Sequence, residues 1–440
     1  MPDQSAPVAA TESGGAEAPV AMGRPHVEAY LTKAFDFPAL VAHLPEGRQH
    51  PQHSCQKIFE AVFWGAVARI ASFHQLEYEC QAGRLRHHIG PISEDTFRYA
   101  LERLAPEAVV ALGCAVARQV KRNGVLRTAA TRGMVVAAVD GIEICRSFVR
   151  CCDLCLERTV ERVVGGVRQT VVQYYHRIVA VVVVSTPFPI PLGIRFQAPG
   201  EGEVRCALAL LQDLVGRLGR RFVDVLVGDA LYLSAPCVEA IEALGLDWVF
   251  TVKDNQPELL AEVERCTRTL PQAQTSGPGE AVDLWHVPEV YWATADRSVR
   301  IVTTVRRTET TRLRVERDGA HRRTRKATVW EESTNVYASN LGPLMAAPQL
   351  LEAMGRSRWR IDTEVFKTLT TEYHLKHPAV HQQHDRALVV LTMIRVLAYT
   401  LMLVFFHRQV LSHCRRRPPS LCQTTERIVQ ELARPLDDSS

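Results

Sequence analysis

The feature that most constrains the fold is an apolar, valine-rich run that ends in a carboxylate. Residues 134–139 (MVVAAV) are all apolar, and Asp140 and Gly141 follow them directly. Such a run is typical of a strand buried on both faces. A carboxylate in this position is costly unless it is paired or holds a cation. The pattern recurs at residues 222–228 (FVDVLVG), which precede Asp229, so the sequence predicts two acids on buried strands.

The order of predicted elements from residue 134 indicates a mixed sheet. Strands are predicted over 134–145, 176–185 and 191–197 without helices between them, and further strands over 222–229 and 247–253 are each preceded by a helix. Three strands in succession predict an antiparallel meander, whereas strands separated by helices predict parallel addition. This β-β-β-α-β-α-β order is the one that the RNase H-like fold uses. The predicted fold class is therefore α/β, an RNase H-like mixed sheet flanked by helices.

A third acidic position lies on a predicted amphipathic helix near the C-terminus, where Asp362 and Glu364 are two residues apart. A helix packed at the edge of the sheet would bring one of them to Asp140 and Asp229. Three clustered carboxylates need cations to offset their repulsion. Two metal ions held by shared carboxylates suit in-line phosphoryl transfer. Mg²⁺ fits such a site because it binds few protein oxygens and keeps several water ligands.

Four sequence blocks resemble those of insertion-sequence DDE transposases with an RNase H-like core. They are residues 139–141 (VDG), 228–232 (GDALY), 250–256 (FTVKDNQ) and 358–362 (RWRID). The resemblance covers about residues 50–408 and is strongest at 134–256 and 355–408. It implies that Asp140, Asp229 and Asp362 are the catalytic acids and bind two Mg²⁺ ions, for which Mn²⁺ can substitute. The implied reaction is hydrolysis of a DNA strand at a transposon end, followed by attack of the 3′-OH on target DNA.

The third-acid block departs from the family pattern, which is Arg-Trp-x-Ile-Glu. Asp362 stands where the family has Glu, and its oxygens fall short by roughly 1.5 Å. Glu364 is the alternative third acid, although residues two apart on a helix do not share a face. Either Asp362 works after a small backbone adjustment, or this copy is weakly active or inactive. The family's Tyr-Arg-Glu-Lys pattern is also imperfect, because Arg358 is present but Gly355 stands at the Tyr position and Lys367 is closer than the pattern expects.

Several basic and polar residues are predicted to contact DNA. The Arg358 guanidinium suits a phosphate, and Trp359 beside it is predicted to be a core residue. Residues 306–326 contain nine basic and three acidic residues, which favours DNA contact over a solvated hairpin on electrostatic grounds. Lys253 and Asn255 follow the fifth strand at the edge of the cleft, where a purely structural turn is the alternative. The full set of predicted DNA-binding residues is Arg358, Lys253, Asn255, Lys367, Arg322, Arg323 and Arg325.

The predicted domain organisation has four parts. Residues 1–26 form a disordered leader, 27–130 a helical DNA-binding region, 131–408 the catalytic domain with a β-rich insertion at about 258–345, and 409–440 a polar tail. The helical region could be a helix-turn-helix reader of DNA or an ordinary bundle. Residues 387–406 are long and apolar enough to span a bilayer, but Arg395 near their middle favours a buried core helix. No membrane association is expected, and the predicted location is cytoplasmic and nucleoid-associated.

The cysteines raise the question of zinc. Cys152 and Cys155, next to Cys151, form a C-x-x-C pair, which is half of a zinc site. No clean second pair follows, and Cys145 and His176 could complete the site only by folding back. The sequence therefore argues against zinc and predicts a reduced, cysteine-rich turn.

Three histidines near the C-terminus also have metal-ligand spacing. His374, His377 and His381 are three and four residues apart, which suits one helical face, but Pro378 interrupts that helix. Solvated or DNA-facing histidines are therefore predicted there.

The function predicted from the sequence is a DNA transposase that acts on double-stranded DNA, both transposon ends and target, as a homo-oligomer. A net charge of +4 permits such a partner without requiring it. Two alternatives stay open. One is a degenerate transposase that binds DNA without catalysis, and the other is a zinc-dependent DNA-binding protein.

Overall fold

The computed structural model describes residues 23–126, 128–150, 152–318, 321–381, 386–413 and 418–434, without the side chains of 164 and 314–325. Most of the predicted leader lies outside these residues, and the first helix begins within it, at Arg24. Ser54, Ser72 and Ser93 cap three helices by accepting backbone N–H groups three residues ahead. The N-terminal helices are α1 (Arg24–Phe35), α2 (Phe37–Ala42), α3 (Cys55–Val67), α4 (Phe73–Gln81), α5 (Glu94–Arg103) and α6 (Pro106–Arg122).

The mixed α/β sheet predicted from the sequence is confirmed. Strand β1 lies between β3, with which it is antiparallel, and β5, with which it is parallel; β4 is antiparallel to β3 and β6 parallel to β5. This is a meander followed by parallel addition, as in the RNase H-like order. The elements are β1 (Val136–Ser147), β2 (Leu156–Val164), β3 (Val167–Val183), β4 (Ile190–Phe196), α7 (Glu203–Leu218), β5 (Val225–Gly228), α8 (Ala235–Ala243) and β6 (Asp247–Thr251).

The strands of the predicted insertion continue the same sheet. After α9 (Pro257–Thr267) come β7 (Ala273–Gly277), β8 (Glu280–Trp292), β9 (Arg297–Asp318) and β10 (His321–Ser339). Strand β10 returns to pair antiparallel with β6, with Ala338 opposite Phe250. The order across the sheet is β2-β3-β1-β5-β6-β10-β9-β8-β7, with β4 paired to β3. The insertion is thereby tied to the strand next to β5.

One part of the sheet has no counterpart in the sequence prediction. Strand β2 and the first half of β3 form a long antiparallel hairpin, from Leu156 opposite Tyr175 to Val164 opposite Val167. Val163 and Val167 are exposed there, and most neighbouring side chains are polar or exposed. Because neither face is buried, the hairpin lacks the alternation by which a strand is recognised.

The C-terminal helices close the fold over the sheet. They are α10 (Pro348–Ser357), a π-helical turn (Ile361–Phe366), α11 (Lys367–Thr371), α12 (Arg386–Phe405), a second π-helical turn (Phe406–Val410) and α13 (Leu421–Leu432). Helix α12 packs against α3, α5 and α6 as well as β4. The N-terminal helices therefore share one hydrophobic core with the sheet.

Helix α12 is a core helix, as predicted. Arg386–Val410 is the one span in the described chain that is long and apolar enough to cross a membrane, and 89% of its most apolar window is buried in the fold. Arg395 is buried within it and donates to the carbonyls of His374 (3.0 Å) and Ala71 (3.2 Å). Burial lowers the pKa of Arg395 to about 10. The charge in this apolar helix thus links two loops through their backbone oxygens.

Candidate active site

Two of the predicted acids come to the same level of the sheet because β1 and β5 are parallel neighbours. Ala138 pairs with Val227, and Asp140 and Asp229 each follow two residues later. Asp229 ends its strand, and its carboxylate accepts the Leu231 N–H at 2.8 Å, which caps the short 3₁₀ turn Ala230–Tyr232. The carboxyl end of β5 therefore holds Asp229 beside Asp140.

Arg358 joins Asp362 to this pair. Its Nη1 atom donates to Asp140 Oδ2 at 2.7 Å and to Asp362 Oδ2 at 3.4 Å. The Arg358 side chain is only 8% exposed, so this ion pair is largely shielded from water. Because both carboxylate oxygens contact one nitrogen atom, Asp140 and Asp362 share a single small space. The acids are thus contributed by β1, by the end of β5 and by the C-terminal helical segment.

The backbone around Asp362 departs from the α-helix. Ile361–Phe366 forms a π-helical turn between α10 and α11. Such turns add a residue to the helical repeat and occur often at functional sites. The wider turn changes the direction in which Asp362 leaves the helix relative to an α-helical backbone.

Glu364 lies apart from the three aspartates. Both of its carboxylate oxygens accept from Arg360, at 2.6 and 3.0 Å. The Arg360 guanidinium also donates to the carbonyls of Val184 and Thr186, each at 2.6 Å. Glu364 therefore orients an arginine that ties this helical segment to the end of β3, and its contacts differ wholly from those of Asp362.

The acid cluster carries more negative charge than its one arginine offsets. The pKa of Asp140 is raised from its ordinary value of 3.8 to about 7, first by burial and next by the Asp362 carboxylate. The Gly141 amide and Arg358 act in the opposite direction, while Asp229 adds a smaller upward effect. Burial and the neighbouring acids favour the protonated form of this carboxyl group. A divalent cation bound to it would instead stabilise the ionised form. Oxygen donors on three elements fit Mg²⁺ or Mn²⁺.

Tyr232 and Glu203 lie behind the acids, and the sequence prediction gives neither residue a functional role. Tyr232 is fully buried, and its hydroxyl donates to Glu203 at 3.0 Å, while Arg177 donates to the other oxygen of Glu203 at 2.9 Å. A Cβ atom on Gly141 would lie 2.8 Å from the Glu203 carboxyl group. Glycine after Asp140 therefore leaves room for the Glu203 carboxyl group, which would have to shift to admit a methyl group there. Glu203 opens α7, so the sequence marks it only as a first-turn acid.

The predicted DNA-contacting residues around the cleft have different environments. Lys253 is exposed, whereas Asn255 donates to the carbonyl of Ala230 at 2.7 Å and so ties two loops together. Lys367 is exposed and lines a cavity with Glu364. The prediction that Trp359 is a core residue is wrong, because its side chain is 54% exposed and the Arg358 guanidinium lies 4.4 Å from its ring centroid.

Part of the basic run 306–326 is neutralised by acids. Arg306 is buried and pairs with Glu280 and Glu352. Arg307 pairs with Asp283 at 2.8 Å and Glu332 at 3.2 Å, and Arg312 pairs with Glu331. These arginines bind neighbouring strands and a helix, because the sheet brings acids opposite them. Arg322, Arg323 and Arg325 lie on β10, and their side chains are outside the described part of the chain.

A second cluster of metal-ligand side chains lies away from the acids. Cys152 and Cys155 meet His176 from β3, which is one of the two residues considered for completing the site, and His381 instead of Cys145. Cys151 lies outside the described residues. His381 is half-buried in this cluster rather than solvated or facing DNA. The ring of His374 contacts the Arg69 carbonyl at 2.9 Å, whereas His377 is exposed as predicted.

The comparisons with known proteins bear on the family. No curated protein matches this chain. The sequence model of the family described as Transposase DDE domain matches residues 168–401. The match spans more than half of the 440 residues and includes Asp229, Arg358 and Asp362, while Asp140 precedes it. The chain belongs to the transposase DDE domain family.

Proposed function

We propose that this protein is a DNA transposase that cleaves and transfers DNA strands with Asp140, Asp229 and Asp362 as its catalytic acids. The observation that carries the proposal is the single nitrogen of Arg358, which contacts Asp140 at 2.7 Å and Asp362 at 3.4 Å. The matched positions of Asp140 and Asp229 on parallel strands support it. We also propose that Glu364 is not a catalytic acid, because Arg360 occupies both of its oxygens.

The three aspartates would hold two Mg²⁺ ions, which supply an activated nucleophile and stabilise the leaving oxygen of an in-line displacement. Each acid must be ionised to do so, which for Asp140 requires loss of the proton that its surroundings retain to about pH 7. The π-helical turn provides the backbone adjustment that a shorter Asp362 needs in place of Glu. Arg358, which contacts Asp140 and Asp362, carries a guanidinium fork that suits a DNA phosphate at this site.

The proposed partner is double-stranded DNA, at transposon ends and at the target, bound by a homo-oligomer. Trp359 and Lys253 are exposed, which suits contact with bases and phosphates at the cleft. The proposed location is cytoplasmic and nucleoid-associated, because the proposed partner is DNA.

The direct test is cleavage of the element's end DNA in the presence of Mg²⁺ or Mn²⁺, compared with EDTA. We expect strand cleavage that requires the divalent ion. The second candidate function, a degenerate transposase that only binds DNA, is favoured by Asp362 at the position of the family's Glu. DNA binding without any metal-dependent cleavage would support that second function and contradict the first.

We expect the stabilisation of this protein by Mg²⁺ to increase with pH. The pKa of Asp140 is raised from 3.8 to about 7 on folding, so the metal-free folded state binds more protons than the unfolded state between these values. The contribution of Asp140 to the stability of the metal-free protein is therefore present at low pH and is lost as the pH rises towards 7. Mg²⁺ requires the carboxylate, so its stabilising effect grows over the same range.

Thermal unfolding with and without Mg²⁺, at pH values well below and well above 7, measures this effect. The Asp140→Asn protein is the control, because it lacks the titrating group and should show a much flatter dependence. Equal Mg²⁺ stabilisation of the wild-type protein at both pH values would contradict the assignment of Asp140.

We expect Gly141→Ala to slow metal-dependent cleavage by about tenfold to a hundredfold, since small displacements of reacting groups have effects of that size. The added methyl group would press on Glu203, which also fixes Tyr232 behind the acids. Gly202→Ala is the matched control, because a Cβ there meets nothing within 4 Å and its φ is −80°. Initial cleavage rates decide the outcome, and equal rates for the two variants would refute the close-approach explanation.

A further inference from the structure

Four side chains from three separate segments converge away from the acids. Cys152 and Cys155 lie in the turn between β1 and β2, His176 lies on β3, and His381 lies between α11 and α12. Their ligand atoms all lie within 4.8 Å of one another. Both cysteines and His176 are buried, and His381 is half-buried. None of these side chains is used in the proposed DNA chemistry.

The distances within this Cys/His cluster match those of a tetrahedral zinc site. The two Sγ atoms are 3.8 Å apart, and the four Sγ–Nε2 distances are 3.4, 3.8, 3.6 and 3.6 Å. Zinc with bonds of about 2.3 Å to sulfur and about 2.05 Å to nitrogen separates tetrahedral ligands by about 3.8 Å (S–S) and about 3.6 Å (S–N). The two Nε2 atoms are 2.9 Å apart, so metal binding would open that pair to about 3.3 Å.

The alternatives to a metal fit less well. A disulfide needs sulfur atoms about 2.05 Å apart, far less than the 3.8 Å between Cys152 and Cys155. A hydrogen bond between the histidine rings would explain their contact but not why both thiols face the same two nitrogens.

We propose that Cys152 Sγ, Cys155 Sγ, His176 Nε2 and His381 Nε2 bind one structural zinc ion. Each thiol releases its proton to solvent as its sulfur binds, so two protons leave for each ion bound. The two thiolates balance the charge of Zn²⁺, which leaves a neutral group suited to a buried position. Four protein ligands leave no open coordination position, as in structural rather than catalytic zinc sites.

The site is separate from the acids but mechanically connected to them. His176 lies opposite Ile144 on β1, and Asp140 lies opposite Ala180, on the same face of the sheet because four residues separate them. That spacing corresponds to about 13 Å along the strand. Zinc would clamp β3 and the turn after β1 to the segment that follows the helix of Asp362. It would thereby restrain two of the elements that carry acids.

The first test is the zinc content of the purified full-length protein. We expect one zinc per chain in the wild-type protein and near-complete loss in Cys155→Ser and His381→Gln. Cys266→Ser is the matched control, because Cys266 is partly exposed and lies outside the cluster, and it should retain its zinc. Zinc retained in both ligand variants, or absent from the folded wild-type protein even after incubation with excess zinc, would overturn the proposal.

A second measurement keeps the test decisive if a ligand variant fails to fold. Cobalt substituted into the wild-type protein should give the intense d–d absorption of a tetrahedral ion and a thiolate-to-cobalt charge-transfer band. X-ray absorption of the zinc protein should show two sulfur neighbours at about 2.3 Å and two nitrogen neighbours at about 2.0 Å. An octahedral cobalt spectrum or an all-oxygen and nitrogen shell would refute this ligand set.

Discussion

Replacement of Asp140, Asp229 or Asp362 by asparagine is expected to reduce metal-dependent cleavage of end DNA by at least about 100-fold. Loss of an outer partner of a metal ligand alone costs about 10–100-fold, and these substitutions remove the ligands themselves. Glu364→Gln should keep most of the activity, because Glu364 contacts Arg360 and not the acid cluster. The rates are measured on a labelled DNA end with Mg²⁺ and with Mn²⁺.

The Glu364→Gln variant makes this a test of geometry and not only of charge. It removes a carboxylate two residues from Asp362, in the same helical segment. Circular dichroism and DNA binding check that each variant is folded. Activity that survives Asp362→Asn but disappears in Glu364→Gln would assign the third acid to Glu364 and overturn the triad proposed above.

Trp292→Ala is expected to lower the free energy of unfolding by about 3–5 kcal/mol, the usual effect of truncating a buried tryptophan. Trp292 is 0% exposed at the end of β8, and its indole N–H donates to Gln256 at 2.8 Å. Gln256 in turn donates to the carbonyl of Leu233 at 2.6 Å, just beyond the turn that Asp229 caps. The substitution therefore leaves a cavity and frees a buried amide.

Denaturant unfolding of the wild-type and variant proteins measures this effect. Trp330→Ala is the control, because Trp330 is 56% exposed on β10 and its loss should change stability by no more than about 0.5 kcal/mol. A similar small change for both tryptophans would contradict the view that the strands after α9 form part of the core rather than an appended insertion.

The sequence alone determined the features that depend on local patterns. The valine-rich runs before Asp140 and Asp229 predict buried strands, and the order of strands and helices predicts an RNase H-like fold, in which these two strands are neighbours. Serine caps such as Ser54 and Ser93 also depend on residues only three positions away. The apolar run of α12 with its central Arg395 was sufficient to predict a buried core helix.

The tertiary structure decided the features that depend on contacts between distant residues. His176 and His381 are 205 residues apart, so no spacing rule joins them to Cys152 and Cys155. The exposed hairpin of β2 and β3 has no buried face to reveal it, and Glu203 meets Gly141 only after α7 packs on the sheet. The division between Asp362 and Glu364 likewise follows from which face of the π-helical turn meets Arg358 and which meets Arg360. Local periodicity determines which residues are buried, whereas the packing of remote segments determines which of them meet.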